Sequence, residues 1–228
     1  MSKLLLFDID GTLITTDSAG RHALELSFME CIGKDISQVD FNLCGRTDKG
    51  IITELLERFN IDINEEIIDS IIYYYLEFLP YELEIAQNAF VFKGVLPLLE
   101  TLINHNNYKL ALLTGNIEDG AYKKLDYFGL KKFFNTGGFG DDHIDRNEIF
   151  PIAYKRCVRF FEREFAKNDI IVIGDSPKDI ECAVKNGLKS LIVGTGLSDN
   201  ENLFKLKPTA FIKDFSNLEN TMKLLGSI

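Results

Sequence analysis

Asp8 and Asp10 stand two residues apart at the end of the apolar run Leu4-Leu5-Leu6-Phe7, and Gly11-Thr12-Leu13 follow them. Side chains alternate along a strand, so carboxylates at this spacing point to the same side. The glycine and threonine favour a turn, which puts both acids in a loop at the carboxyl edge of a sheet. Open α/β sheets bind their ligands at that edge. Like charges held this close are unfavourable without a cation or a shared proton. The chemistry this predicts is a Mg²⁺ site in which one carboxylate is free to attack.

Two later segments carry complementary groups. Thr114-Gly115-Asn116 follows the apolar run 108–113 and precedes a helical pattern. A hydroxyl beside free backbone N–H groups at a helix start can cradle a phosphate, although the same tripeptide also makes an ordinary turn. Gly174-Asp175-Ser176-Pro177-Lys178-Asp179 follows the run 170–173. Asp175 falls at that strand's tip and Asp179 one helical turn beyond, so both can face one point. Oxygens from Asp8, Asp175 and the Asp10 main-chain carbonyl, completed by water and phosphate, suit an octahedral hard cation.

The elements that must position these groups follow from the pattern around them. Short runs rich in Ile, Leu and Val at 108–113, 170–173, 190–193 and, more weakly, 210–212 read as strands. Amphipathic stretches at 95–104, 118–128, 149–165 and 177–185 lie among them. Strands alternating with helices argue for βαβ units and a doubly wound parallel sheet covered on both faces, an α/β fold. Between 19 and 89 that rhythm stops, and helices are predicted at 19–32, 48–59, 64–78 and 82–89. Thr47 or Asp48 serves as a cap for the second of these and Asn64 for the third. So much helix exceeds one crossover. Residues 1–18 and 90–228 are therefore expected to form an α/β core, and 19–89 an inserted helical cap over the site.

Composition excludes other classes. The chain has 228 residues and a net charge of −10, which disfavours binding to nucleic acid. No window approaches the roughly 18 apolar residues of a membrane span, and Asp8 and Asp10 interrupt the N-terminal apolar run, so a cytoplasmic location is expected. Cys31, Cys44, Cys157 and Cys182, like His22, His105 and His143, lack zinc-site spacing. They are expected to be free thiols, with Cys157 and Cys182 on buried helix faces.

The segments Asp8-Ile9-Asp10-Gly11-Thr12-Leu13, Thr114 and Gly174-Asp175-Ser176-Pro177-Lys178-Asp179, in that order and each at a predicted strand end, resemble signature motifs of the haloacid dehalogenase-like hydrolase superfamily. The chain is most similar to its phosphoglycolate phosphatase-like branch, and the helical insert matches that family's cap. The resemblance implies a Rossmann-like core and Mg²⁺-dependent phosphoryl transfer through an aspartyl-phosphate. It implies Asp8 as nucleophile and metal ligand and Asp10 as general acid and base. It implies that Thr114, Gly115 and Asn116 hold phosphoryl oxygens, and that Asp175 binds Mg²⁺ with support from Asp179. The family's usual Lys-Pro before the last metal motif is missing. Arg146, at a loop-to-helix junction, is favoured for that role over Lys155, which lies inside the following helix.

In the insert, Cys44-Gly45-Arg46-Thr47-Asp48 reads as a loop leading into a helix. Arg46 either reaches a substrate carboxylate or phosphate or pairs within its own turn. Arg21 and His22 are more consistent with a surface role, and Tyr73-Tyr74-Tyr75 place some rings in a core and one at the cleft edge. The expected function is hydrolysis of a small soluble phosphorylated metabolite by a monomer or homodimer. A phosphomutase of the β-phosphoglucomutase type and a non-catalytic phosphate-binding protein are the alternatives. A dehalogenase is disfavoured by Asp10 and the acidic metal motif.

Overall fold

The computed structural model describes residues 2–228. Strand β1 (Lys3–Phe7) is followed by the two-residue β2 (Ile14–Thr15). Helices α1 (Ala19–Ile32), α2 (Asp48–Arg58) and α3 (Glu65–Ile85) come next, and the short β3 (Phe90–Val91) pairs antiparallel with β2. The remaining chain runs through α4 (Val95–Ile103), β4 (Tyr108–Leu113), α5 (Glu118–Tyr127), β5 (Gly137–Gly138) and α6 (Arg146–Phe161). It ends with β6 (Ile170–Gly174), α7 (Pro177–Asn186), β7 (Lys189–Val193), α8 (Asn200–Lys205), β8 (Ala210–Ile212) and α9 (Leu218–Ser227).

The main sheet has six strands in the order β5-β4-β1-β6-β7-β8, all parallel. The chain winds outward from β1 through β4 and β5, then crosses to β6 and winds outward on the other side. Strand order therefore reverses at β1, which makes its carboxyl end the switch point where such sheets open a crevice. Register brings the chemical groups together there: Phe7 is level with Leu112 of β4 and Ile173 of β6. The strand-end residues Asp8, Thr114 and Asp175 consequently project from three neighbouring strands at nearly one height.

Alternation along the strands divides the core into two layers. Leu5, Phe7, Leu112, Ile173 and Leu191 pack toward α4, α5 and α9 through Leu98, Leu102, Leu125 and Leu225. Leu4, Leu6, Ala111, Leu113 and Val172 face α6 and α7 through Ile149, Ala153, Cys157 and Cys182. Period-two alternation buried on both faces is what produces near-continuous apolar strands. Helices α1, α2 and α3 bury a separate cluster that includes Phe28, Ile51, Leu55, Ile71 and Leu79, closed from the sheet side by Ile117. The four cysteines are free, with Cys157 and Cys182 buried. Among the described residues no helix is long and apolar enough to cross a membrane.

Three differences from the sequence expectations have physical causes. The third helix does not end near residue 78 but continues through Pro80 to Ile85. Buried Tyr75, Leu79, Glu82 and Leu83 keep one stripe continuous across the proline, and packing of that stripe overrides the lost hydrogen bond. Helix α6 begins at Arg146, with the Asp145 carboxylate accepting from the Asn147 N–H (2.9 Å), and stops at Phe161. Strand β5 has no β-forming side chain at all. A Cβ on Gly138 would come within 2.6 Å of Ile149, so the edge strand consists of glycines to admit α6.

Candidate active site

Asp8 is 5% exposed, and its N–H donates to the Ile173 carbonyl (2.9 Å), which extends the β1–β6 ladder by one residue. Its Oδ1 lies 3.2 Å from Nη2 of Arg146. The same Nη2 donates to the Leu113 carbonyl (3.1 Å) and to Asp179 Oδ1 (2.5 Å). Arg146 can reach this edge because it is the first residue of α6, where its side chain turns back over the end of β4. Lys155 lies further along the same helix and is exposed to solvent. The Nε of Arg146 has no hydrogen-bond partner among the described residues, so part of the guanidinium remains available.

The ligand oxygens of Asp8, Asp175 and Asp179 lie within 4.8 Å of one another, all on buried residues. Burial pushes the Asp8 carboxyl up to about 6, against the pull of Arg146 and with a further push from Asp179. Burial, followed by Asp179 and Asp8, raises Asp175 well above the carboxylate range. One guanidinium does not neutralise three carboxylates, and an oxygen-only set of this kind fits a hard divalent cation. The roles within the set differ. Both Asp179 oxygens are already engaged, Oδ1 by Arg146 and Oδ2 by the Ser176 N–H (3.0 Å) and hydroxyl (2.6 Å). Asp175 accepts only the Thr12 hydroxyl (2.9 Å) among the described residues. Gly11 (φ +82°) and Gly196 close over it, and a Cβ on either would collide with its carboxylate.

Asp10 turns away from this set. Its Oδ2 accepts from Lys124 Nζ (2.7 Å) and from Asn116 Nδ2 (2.8 Å), both outside the carboxylate set. Asn116 also donates through Nδ2 to the Thr114 hydroxyl (2.9 Å), and its Oδ1 accepts from Lys124 (2.5 Å). The Thr114 side chain, at the end of the neighbouring strand, favours the ionised form of the Asp8 carboxylate. Arg146 thus lies against Asp8, while Asn116 links Thr114 to Asp10 and Lys124.

The helical insert touches this edge through its main chain. A Cβ on Gly115 would lie 1.8 Å from the Arg46 carbonyl oxygen. The Asp48 N–H donates to the Gly115 carbonyl (2.8 Å), and the Asp48 carboxylate accepts the Ile117 N–H (2.9 Å) at the start of α5. Thr47, not Asp48, caps α2. Burial pushes Asp48 up to about 6, opposed by the charge of Lys124. Arg46 is the expected site residue that is not brought to the others: its guanidinium pairs with Glu54 (2.5 Å). Arg21 pairs with Glu25 (2.8 Å) and stacks on Phe41, while His22 faces Glu82 (3.6 Å). Tyr75 is the buried ring of its triplet and Tyr73 the exposed one.

Sequence reasoning missed Lys124. It follows Lys123, and the pair reads as an exposed face. The available signal was its place on the stripe Ile117, Ala121, Lys124, Leu125, where an apolar residue is expected. It is only 5% exposed, and the pull of burial on its charge is outweighed by Asp10, Tyr75 and Asp48, which leaves its pKa raised.

Comparison with known proteins agrees with this geometry. The chain is 25% identical to pyrophosphatase PpaX of Halalkalibacterium halodurans, over 94% of each chain. It is 25% identical to a phosphoglycolate phosphatase of Aquifex aeolicus, over 83% of this chain and 84% of that one. The fold superimposes on the crystal structure of a hydrolase from Pseudomonas syringae with a TM-score of 0.70 at 20% identity, over 99% of both chains. The sequence model of the haloacid dehalogenase-like hydrolases matches residues 5–193, and the chain belongs to that family.

Proposed function

We propose that the protein is a Mg²⁺-dependent phosphatase of small soluble phosphomonoesters, acting through an aspartyl-phosphate on Asp8. The observation that carries this reading is the division of labour between two adjacent acids. Asp8 faces Arg146 and the carboxylate set, whereas Asp10 is held by Lys124 and Asn116. Asp8, Asp175 and the Asp10 carbonyl would hold the cation, with Asp179 behind them. The cation would supply charge neutralisation beside the nucleophile.

An oxygen of Asp8 attacks phosphorus, and the P–O bond to the leaving group breaks as Asp10 delivers a proton to the departing oxygen. Asp10 then takes a proton from the water that hydrolyses the acyl phosphate, which frees Asp8 and releases inorganic phosphate. Thr114, the amides at 115–116 and Arg146 hold the phosphoryl oxygens through both steps. Residues 19–89, as a cap over this edge, would select the leaving group, and a soluble cytoplasmic metabolite suits the charge and composition of the chain.

The test is turnover of a phosphate-ester panel with MgCl₂, followed by acid quench and peptide mapping. A phosphoryl group on Asp8, and loss of both adduct and turnover in Asp8→Asn with its fold intact, are the expected results. Turnover retained by Asp8→Asn refutes the assignment. Phosphate release that depends on a sugar-bisphosphate primer would make the protein a mutase.

A further inference from the structure

Lys124 is absorbed by no step above, yet its burial is costly, since an ammonium taken out of water loses several kcal/mol of solvation. Its surroundings are arranged to receive it. Helix α5 belongs to the core, but Gly20 of α1 and Tyr75 of α3 belong to the helical insert. A Cβ on Gly20 would lie 3.4 Å from Lys124 Nζ and 3.7 Å from the Tyr75 hydroxyl. A Cβ on Gly120 would press to 3.2 Å on the Tyr75 ring. Glycine inside a helix costs about 1 kcal/mol relative to alanine, and here it gives room to one lysine and one tyrosine.

The bonding pattern at Asp10 is one-sided. Lys124 and Asn116 both donate to Oδ2, and no hydrogen bond reaches Oδ1 among the described residues. The Asp10 side chain is 39% exposed while that of Lys124 is 6% exposed. An ammonium has three donors, of which Asp10 Oδ2 and Asn116 Oδ1 take two, and the Tyr75 hydroxyl lies beside it, both groups bordering the spot a Cβ on Gly20 would fill. Lys124 is 5% exposed, enclosed between core and insert and not open to substrate. What it can do is anchor one oxygen of Asp10 and leave the other, on a side chain 39% exposed, free of hydrogen bonds among the described residues.

We infer that Lys124 is a positioning residue for Asp10, completed by Tyr75 of the helical insert, so that Asp10 is aligned for proton transfer only when the insert sits against the core. This rests on the phosphatase reading and assigns how its acid–base group is set. The insert thereby acts on the chemistry through Lys124, without touching the reacting atoms.

The experiment separates proton delivery from general damage by the leaving group. kcat/KM reports steps only up to P–O cleavage. An alkyl oxygen needs a proton to leave, and p-nitrophenolate does not. Full-length wild type, Lys124→Met and Tyr75→Phe are compared with MgCl₂ on p-nitrophenyl phosphate and on alkyl phosphates. Lys124→Met is expected to lose about a hundredfold in kcat/KM on the alkyl esters and no more than about fivefold on the aryl ester. Tyr75→Phe should show the same skew on a smaller scale. Should Lys124→Met lose its cooperative melt, the presence or absence of the skew in Tyr75→Phe decides the question. Equal losses on both ester types, or no loss on alkyl esters, overturns the assignment while the phosphatase reading stands. Wild type that cleaves only the aryl ester also overturns it. Wild type inert toward every ester overturns both.

Discussion

Replacing Asp175 by asparagine should make the metal-free protein more stable while removing its response to Mg²⁺. The ligand oxygens of Asp8, Asp175 and Asp179 fall within 4.8 Å of one another. At an effective dielectric near 20, two unit charges at such a spacing repel by about 3 kcal/mol. Asp175 meets two such neighbours and one opposing guanidinium, which leaves roughly one uncompensated repulsion. Asparagine keeps an acceptor for the Thr12 hydroxyl but brings an NH₂ group that must find a partner, at a cost of about 1 kcal/mol. The net gain is about 2 kcal/mol, or roughly 4–8 °C in Tm for a chain of this size.

The pH dependence fixes the sign. Asp175 is raised in the folded state, and Asp8 is raised to about 6. A raised acid binds its proton more tightly when folded, so its stabilisation is complete below the unfolded value near 4 and is lost as pH rises. The advantage of Asp175→Asn should therefore vanish at pH 4 and grow as pH rises to 7.5 in EDTA. Thermal melts of both proteins at the two pH values, each with EDTA or millimolar MgCl₂, decide it. Mg²⁺ should raise the Tm of the wild type at pH 7.5 and leave the variant unmoved. An Asp175→Asn protein no more stable than wild type in EDTA at pH 7.5, or one that keeps the full Mg²⁺ shift, refutes the reasoning.

Arg146→Met would leave Asp8 and Asp179 buried without their cation and should cost about 3–5 kcal/mol at pH 7.5, read by denaturant titration. Arg146→Lys keeps the charge but loses the planar guanidinium, whose Nη2 alone reaches Leu113, Asp8 and Asp179 and whose other nitrogens are left for a phosphoryl group, so it should retain most of that stability while turnover falls about tenfold or more. Unchanged kinetics in Arg146→Lys would count against its place beside the phosphoryl group. Gly115→Ala drives a methyl into the Arg46 carbonyl, 1.8 Å away in this structure, so the insert must lift from the core. Turnover should fall at least about tenfold with the melting temperature within a few degrees of wild type, because the contact lies at the seam and not in either hydrophobic cluster. Wild-type kinetics in that variant would show that the seam is open during turnover.

What was legible in the sequence, and what was not, divides by range. Asp8, Thr114 and Asp175 each end a strand whose apolar pattern is local, so a parallel sheet of known register suffices to bring them together. Asp145 capping α6 likewise identifies Arg146 by position, even though an arginine replaces the family's usual lysine. Lys124 and Arg46 behave otherwise, because their partners come from distant parts of the chain. Arg46 is one residue before Thr47 and looks poised over the site, yet Glu54, two helical turns away, takes its charge. Lys124 looks like one of two surface lysines, yet it is enclosed by Asp10, Asn116, Tyr75 and Gly20, which no local pattern links.

This difference has a consequence for how the site works. Groups at strand ends are held by the sheet whether or not the insert is seated, so the proposed nucleophile and the carboxylate set are permanent. Asp10 is held on its Oδ2 by Lys124 and Asn116, with Tyr75 of the insert beside the lysine, and its Oδ1 carries no hydrogen bond among the described residues. In the proposed mechanism the attacking half of the site is therefore built into the core, whereas the proton-transfer half depends on contact between core and insert. A substrate that seats the insert well should gain in proton transfer, and one with a leaving group that needs no proton should be nearly indifferent to the insert.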